Sequence, residues 1–264
     1  DTALKYSKLG SDQNDYAVAF EQKRSEFIAN NIWWMLIIAV AVIGGAVWLM
    51  LRKKEKVASN KFKNIKFAIS TNLHPFEAFY NLKHKGEGSL LTALIILILF
   101  YVSKVLSDIY SGFSFEIFEA AGYNSIETLL GSVGIAVLFV IVNWGVCVLA
   151  QGKGKLKEIF MVTCYALIPE ILSSVLYLIL TNMLVPEEAT ILTIITVLCH
   201  LIAAVVLCVG LMVIHEYDFF KFLGTTVIAL LGMALVVFII FMLFILFQEL
   251  FGFIGSLFTE IFYR

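Results

Sequence analysis

Hydrophobic positions along this chain collect into unbroken runs of about 20 residues or more, the length a helix needs to cross the hydrocarbon core of a bilayer. Six runs qualify: residues 32–51, 89–107, 128–150, 159–181, 190–213 and 222–247. The pattern predicts an all-α fold, a polytopic transmembrane helix bundle of six spans in which one N-terminal anchor span precedes a five-span bundle. The first run does not read as a signal peptide. A polar stretch precedes it, no small-residue cleavage pattern ends it, and its positive cluster (Arg52, Lys53, Lys54, Lys56) follows the run as a stop-transfer signal would.

Helical periodicity also marks the polar stretches. Ser11 or Asp12 is placed to cap a helix reaching Asn31, with Tyr16, Phe20 and Phe27 near one face. Residues 1–31 thus read as an external neck. The chain begins at Asp1, and the expectation is that a signal sequence or a larger external domain precedes it. In the segment 52–88, Pro75 is well placed as a first helical residue, which puts Phe76, Phe79, Tyr80 and Lys83 on one side. Such a helix is expected to lie in the headgroup plane, with Lys61, Lys63, Lys66, Lys83 and Lys85 as lipid-surface contacts. The plainer alternative is a positive flank that only fixes orientation. Residues 89–247 form the five-span domain, and 248–264 read as an external amphipathic tail, with Phe251, Ile254, Leu257, Phe258 and Ile261 at near-helical spacing.

Composition supports the membrane assignment and narrows the function. Of 264 residues, 61% are hydrophobic and 15% charged, with a mean hydropathy of +0.93. A soluble domain carries about 25% charged residues, so this excess of apolar surface does not fit one water-soluble core. The net charge of −1 conceals segregation by sign. Residues 52–88 hold nine Lys and Arg against three acids, whereas 108–127 hold no base and four acids. Lys153, Lys155 and Lys157 lie in the next connector, only Glu187 and Glu188 in the one after, and Lys221 in the last. Positive connectors stay cytoplasmic, so both termini are expected outside. Lys104 dissents, near the outer end of its span, where it snorkels or pairs with Asp108 four residues on.

No stretch between runs is long enough for a soluble catalytic domain, and no GxSxG, Walker or GxGxxG pattern is present. Cys147, Cys164, Cys199 and Cys208 lie inside apolar runs and read as small core residues. The turn His215, Glu216, Tyr217, Asp218 lacks metal-ligand spacing and reads as a solvated loop. Gly131, Gly134, Gly145, Gly210, Gly224 and Gly232 mark places where helices can approach closely. No catalytic residue, cofactor site or metal site is assigned, and no nucleic-acid partner is expected.

Three segments carry a family resemblance: His74–Ser89 (HPFEAFYNLKHKGEGS), Gly152–Glu170 (GKGKLKEIFMVTCYALIPE) and Gly210–Gly224 (GLMVIHEYDFFKFLG). From about His74 to its end the chain resembles the Yip (Ypt/Rab-interacting) domain family of five-span membrane proteins, in a bacterial type with an extra N-terminal span. The resemblance implies a five-span helical bundle, cytoplasmic before its first span and outside at its end. Eukaryotic members of the family act in vesicle trafficking and contact small GTPases through a cytoplasmic N-terminal region. Here the extra span leaves no long cytoplasmic tail, which argues against that role and for an external module tethered to a bundle in a bacterial plasma membrane.

A charged residue at the bilayer centre costs about 2.5–3.5 kcal/mol on insertion scales, so each one needs a reason. Glu170 follows Pro169, whose missing N–H frees the carbonyl of Tyr165, and His200 falls at similar depth in the next span. Glu170, His200, Asn143, Tyr165 and Pro169 form a candidate intramembrane polar cluster, joined by Ser173 and Ser174. Such a cluster serves either as interhelical polar glue or as a proton or ligand path. The expected function is a non-enzymatic scaffold or tether for an external module or membrane complex, with anionic lipids and a membrane or extracellular protein as partners. The alternative is a transporter, or an accessory subunit of one, of ABC type for example.

Overall fold

The computed structural model describes residues 2–10, 12–31, 60–115 and 123–262. The anchor span expected at 32–51 lies outside the described residues. Among those described, the chain is helical throughout and contains no strand. In chain order the helices are α1 (Thr2–Leu9), α2 (13–31), α3 (Asn60–Leu73), α4 (Pro75–Lys85), α5 (Leu90–Tyr110), α6 (Ser125–Leu149), α7 (Leu156–Ala166), α8 (Ile168–Thr181), α9 (Ala189–His215) and α10 (Phe219–Phe262). Five segments are long and apolar enough to cross a membrane: α5, α6, α7 continued by α8, α9 with its short 3₁₀ lead-in, and α10.

The charge alternation of the sequence maps onto the two ends of this bundle. At one end, Lys83 of α4 pairs with Glu158 of α7 at 3.0 Å, and Lys153 pairs with Glu216 at 2.6 Å. At the other, Gly112 donates its N–H to Thr181 Oγ1 and comes so close to the Thr181 carbonyl that no side chain would fit there. The neck helix α2 docks on this second end. Arg24 grips Glu188 with both guanidinium nitrogens (2.6 and 3.2 Å) and the Met183 carbonyl at 3.1 Å, while Tyr16 meets Phe113 edge to face. We call the two ends the lysine end and the neck end.

Packing is densest toward the lysine end, where Phe79, Ile159, Val162, Tyr165, Leu211 and Ile214 are wholly enclosed. Gly210 makes this possible. A Cβ there would lie 2.5 Å from Val162 and 2.9 Å from Phe79, so α9 approaches α4 and α7 through its bare backbone.

One face of each lysine-bearing helix therefore packs into the protein core, while Lys66 and Lys85 stay exposed. Pro75 does start α4, and Gly86 ends it with φ +65°, a left-handed cap returning its N–H to the Asn81 carbonyl. The face expected to be single is split. Phe79 and Lys83, four residues apart, turn into the bundle, whereas Phe76 and Tyr80 remain exposed. On α3 the inward stripe is Phe67, Ala68, Thr71 and Asn72, with Phe67 edge to face against Tyr165.

Two interruptions shape the spans. Residues Leu130–Gly134 of α6 form a π-helical turn. Between α7 and α8, the carbonyl of Tyr165 loses its helical donor because residue 169 is proline. The chain closes that break with a tight turn at Leu167, whose N–H returns to Cys164. Helix α10 stands apart: 44 residues long, it packs on α6 near Gly232 and Val142, and every described residue from 237 to 260 is exposed. It runs without a break through Gln248, where the sequence placed the end of the last span.

Candidate functional site

The mid-span cluster forms around Glu170, the third residue after the α7–α8 break. Its carboxylate is buried, 3.4 Å from Nε2 of His200 on α9 and 3.8 Å from Nζ of Lys104 on α5. His200 Nδ1 lies 2.7 Å from the Thr196 carbonyl, which can only accept, so that nitrogen carries a proton. Nε2 then faces Glu170 in one of two ways: it donates a second proton to a carboxylate, or it accepts one from a carboxylic acid. In both, one proton is held between the two side chains.

The sequence placed Glu170 and His200 together and left Lys104 either to snorkel or to pair with Asp108. The structure corrects that assignment. Lys104 turns toward Glu170, and Asp108 accepts a hydrogen bond from Thr128 on α6 at 3.3 Å. Ser174 joins by donating to the Glu170 backbone carbonyl. The π turn belongs here too. Gly131 and Ser132 line, with Glu170, His200 and Ala203, a membrane-facing cavity of about 440 Å³. A π turn inserts one residue into a helix and commonly sits beside a functional group; no pattern in the sequence marked it beyond the two glycines.

Three other residues of the expected cluster lie elsewhere. Tyr165 points toward the lysine end, where its hydroxyl donates to the Ser89 carbonyl and accepts from the Ser89 N–H. Pro169 contributes only the break. Asn143 pairs instead with His215, its Oδ1 accepting from Nε2 at 2.9 Å. The turn expected to be a solvated loop is thus partly a buried network. His215 Nδ1 faces Cys147 Sγ at 3.0 Å, and Tyr217 stacks on the imidazole with rings 5.0 Å apart. Glycines at 152 and 154 let the connector close over these groups: a Cβ at Gly154 would lie 2.5 Å from His215 Nδ1. Burial and the neighbouring Cys147 push the Tyr217 phenol up to about 12. Glu216 stays exposed, and its hydrogen bond to Lys153 holds its carboxyl below the usual range.

Of the lysines expected at lipid, Lys66 and Lys85 are exposed. Lys83 is largely enclosed, and two of its three ammonium donors go to Glu158 and to the Lys153 carbonyl at 2.6 Å. The side chains of Lys61 and Lys63 lie outside the described set. No group of three or more His, Cys, Asp or Glu that could hold a metal ion occurs among the described residues.

Neither a curated protein nor a solved structure matches the chain. A family model does: the Yip1 domain, over residues 69–242, from the end of α3 to the middle of α10. That region takes in the α7–α8 break, the Glu170 cluster and the His215 turn, and it covers well over half of the sequence. The chain is an integral membrane protein of the Yip1 domain family.

Proposed function

We propose that this chain is a non-enzymatic membrane scaffold, which holds an external module or a neighbouring membrane complex in place through its last helix. The supporting observation is the length and bareness of α10. Its 44 residues give a rod of about 66 Å at about 1.5 Å per residue. Even tilted by about 40°, it rises about 50 Å against a hydrocarbon core of about 30 Å. Roughly 20 Å of helix thus extends past the lipid tails. That part is amphipathic: Phe247, Phe251, Ile254, Leu257 and Phe258 lie exposed along one face, opposite Gln248, Glu249, Ser256, Thr259 and Glu260. An apolar face outside both the bilayer and its own bundle calls for a protein cover. The occupant that fits is an apolar helix of another membrane-embedded chain.

In this reading the neck and both termini face outward and the lysine end faces the cytosol, in a bacterial plasma membrane. Exposed Lys66 and Lys85 meet anionic lipid there. The docked neck holds whatever it carries at a fixed place on the bundle. A photo-crosslinking residue at Phe251 or Phe244 in cells tests the proposal. One discrete adduct with a second membrane protein is expected from both sites and none from exposed Tyr80, on α4. Adducts with lipid alone would overturn it.

A further inference from the structure

At the neck end, α5, α8 and α9 enclose a second cavity of about 230 Å³ that reaches Ser111 and Phe115. Its walls carry opposite charges one helical turn apart, Lys104 deeper and Asp108 nearer the end, with the hydroxyls of Ser107, Ser173, Tyr177 and Thr196 around them. Asp108 has one hydrogen bond, from Thr128, and no cation within 4 Å among the described residues; Lys104 acts on it only at longer range. Lys104 meets Glu170 at 3.8 Å, too long for a tight pair. Those four hydroxyls make no side-chain hydrogen bond among the described residues.

A carboxylate with one hydrogen bond and no close cation, beside four hydroxyls that make no side-chain bond, carries a desolvation cost inside a membrane bundle unless water or a ligand completes the set. We propose that this cavity binds a small zwitterion of the phosphoethanolamine class, its ammonium on Asp108 and its anionic end toward Lys104. The charge pair sets the choice. A simple cation is drawn to Asp108 and repelled by Lys104, and a simple anion meets the reverse. Residues four apart on one helix face hold their Cβ atoms about 5–6 Å apart, a spacing that suits one short molecule bearing both charges. Water takes about 30 Å³ per molecule, so the cavity has room for such a ligand together with bridging water. The hydroxyls then serve as donors to the anionic end and acceptors for the ammonium.

Titration calorimetry on the full chain in an uncharged detergent tests this with three probes: phosphoethanolamine, ethanolamine and inorganic phosphate. Phosphoethanolamine is expected to bind at least about tenfold more tightly than either half, and Asp108→Asn to remove that advantage. Should Asp108→Asn fail the gel-filtration check for folding, Thr196→Phe fills the cavity while leaving the carboxylate in place, and is expected to abolish binding. Nanodiscs with and without phosphatidylethanolamine separate the sources. Competition by the lipid identifies a headgroup as the occupant, and undisturbed binding identifies a free solute. Equal affinity for all three probes, no binding by any, or full binding by a folded Thr196→Phe chain would overturn the proposal.

Discussion

Asn72, on a helix that the sequence assigned to the membrane surface, donates its side-chain N–H to the carbonyl of Tyr165 at 3.1 Å. This is the carbonyl that Pro169 leaves without a helical donor. The break beside Glu170 is therefore closed from α3, and the two segments depend on each other.

That dependence is measurable. Asn72→Ala leaves a buried carbonyl unpaired and should cost about 1–3 kcal/mol in reversible unfolding in detergent. Pro169→Ala restores a backbone N–H to the helix, so in its background the same Asn72→Ala change should cost clearly less. Equal costs in both backgrounds would show that Asn72 acts by some other contact.

Close packing at Gly210 gives a second prediction. Gly210→Ala should destabilise by about 1–3 kcal/mol through overpacking, and Val162→Ala, which removes the methyl a Cβ would strike at 2.5 Å, should recover much of that loss. Thermal unfolding of the two single variants and the double variant decides it.

The network at the lysine end predicts chemical protection. Cys147 is buried against His215, which Asn143 holds from the other side. Asn143→Leu leaves His215 Nε2 without an acceptor, and maleimide labelling of Cys147 should then speed up several-fold. Cys164, enclosed elsewhere in the core, serves as the internal reference and should not change.

Tyr217 sets an alkaline limit. Its folded-state pKa of about 12 lies above the value of about 10 for an exposed phenol. A raised pKa means that this contribution to stability is intact below about pH 10 and is lost as pH rises toward about 12, because only the unfolded chain ionises readily in that window. Subtracting the ultraviolet titration of Tyr217→Phe from that of the parent should isolate one phenol ionising near 12. The variant should also lose less stability than the parent between about pH 10 and 12.

The neck contact gives the last prediction. Arg24→Ala removes the bidentate hold on Glu188. A pair this exposed contributes about 1 kcal/mol or less, so the change should appear as faster hydrogen exchange across 13–31, with melting of the bundle nearly unaffected.

What the sequence revealed follows from what a linear pattern encodes. Apolar runs give the spans, and counting along them gives depth, which sufficed to bring Glu170 and His200 to one level. Depth does not give azimuth. Asn143 was assigned to the same cluster although it turns to His215, and Lys104 was left to snorkel or to pair with its neighbour in sequence although Glu170 faces it from another helix. The inward face of the α3–α4 segment was missed for a related reason. Its mixture of aromatics and lysines suits a headgroup layer, and only the gap left by Gly210 shows that Phe79 has a socket inside the protein. The π turn in α6 leaves no mark in hydropathy at all.

Helix α9 links these observations mechanically. It follows directly on the 3₁₀ turn holding Glu188, which Arg24 grips from the neck, passes Thr196 and His200, and ends at His215 beneath the two-glycine connector. Its 27 residues make one stiff rod of about 40 Å. Tension applied to the neck would act on one end of a lever whose other end bears on the opposite face of the membrane, with the paired carboxylate and imidazole partway along it.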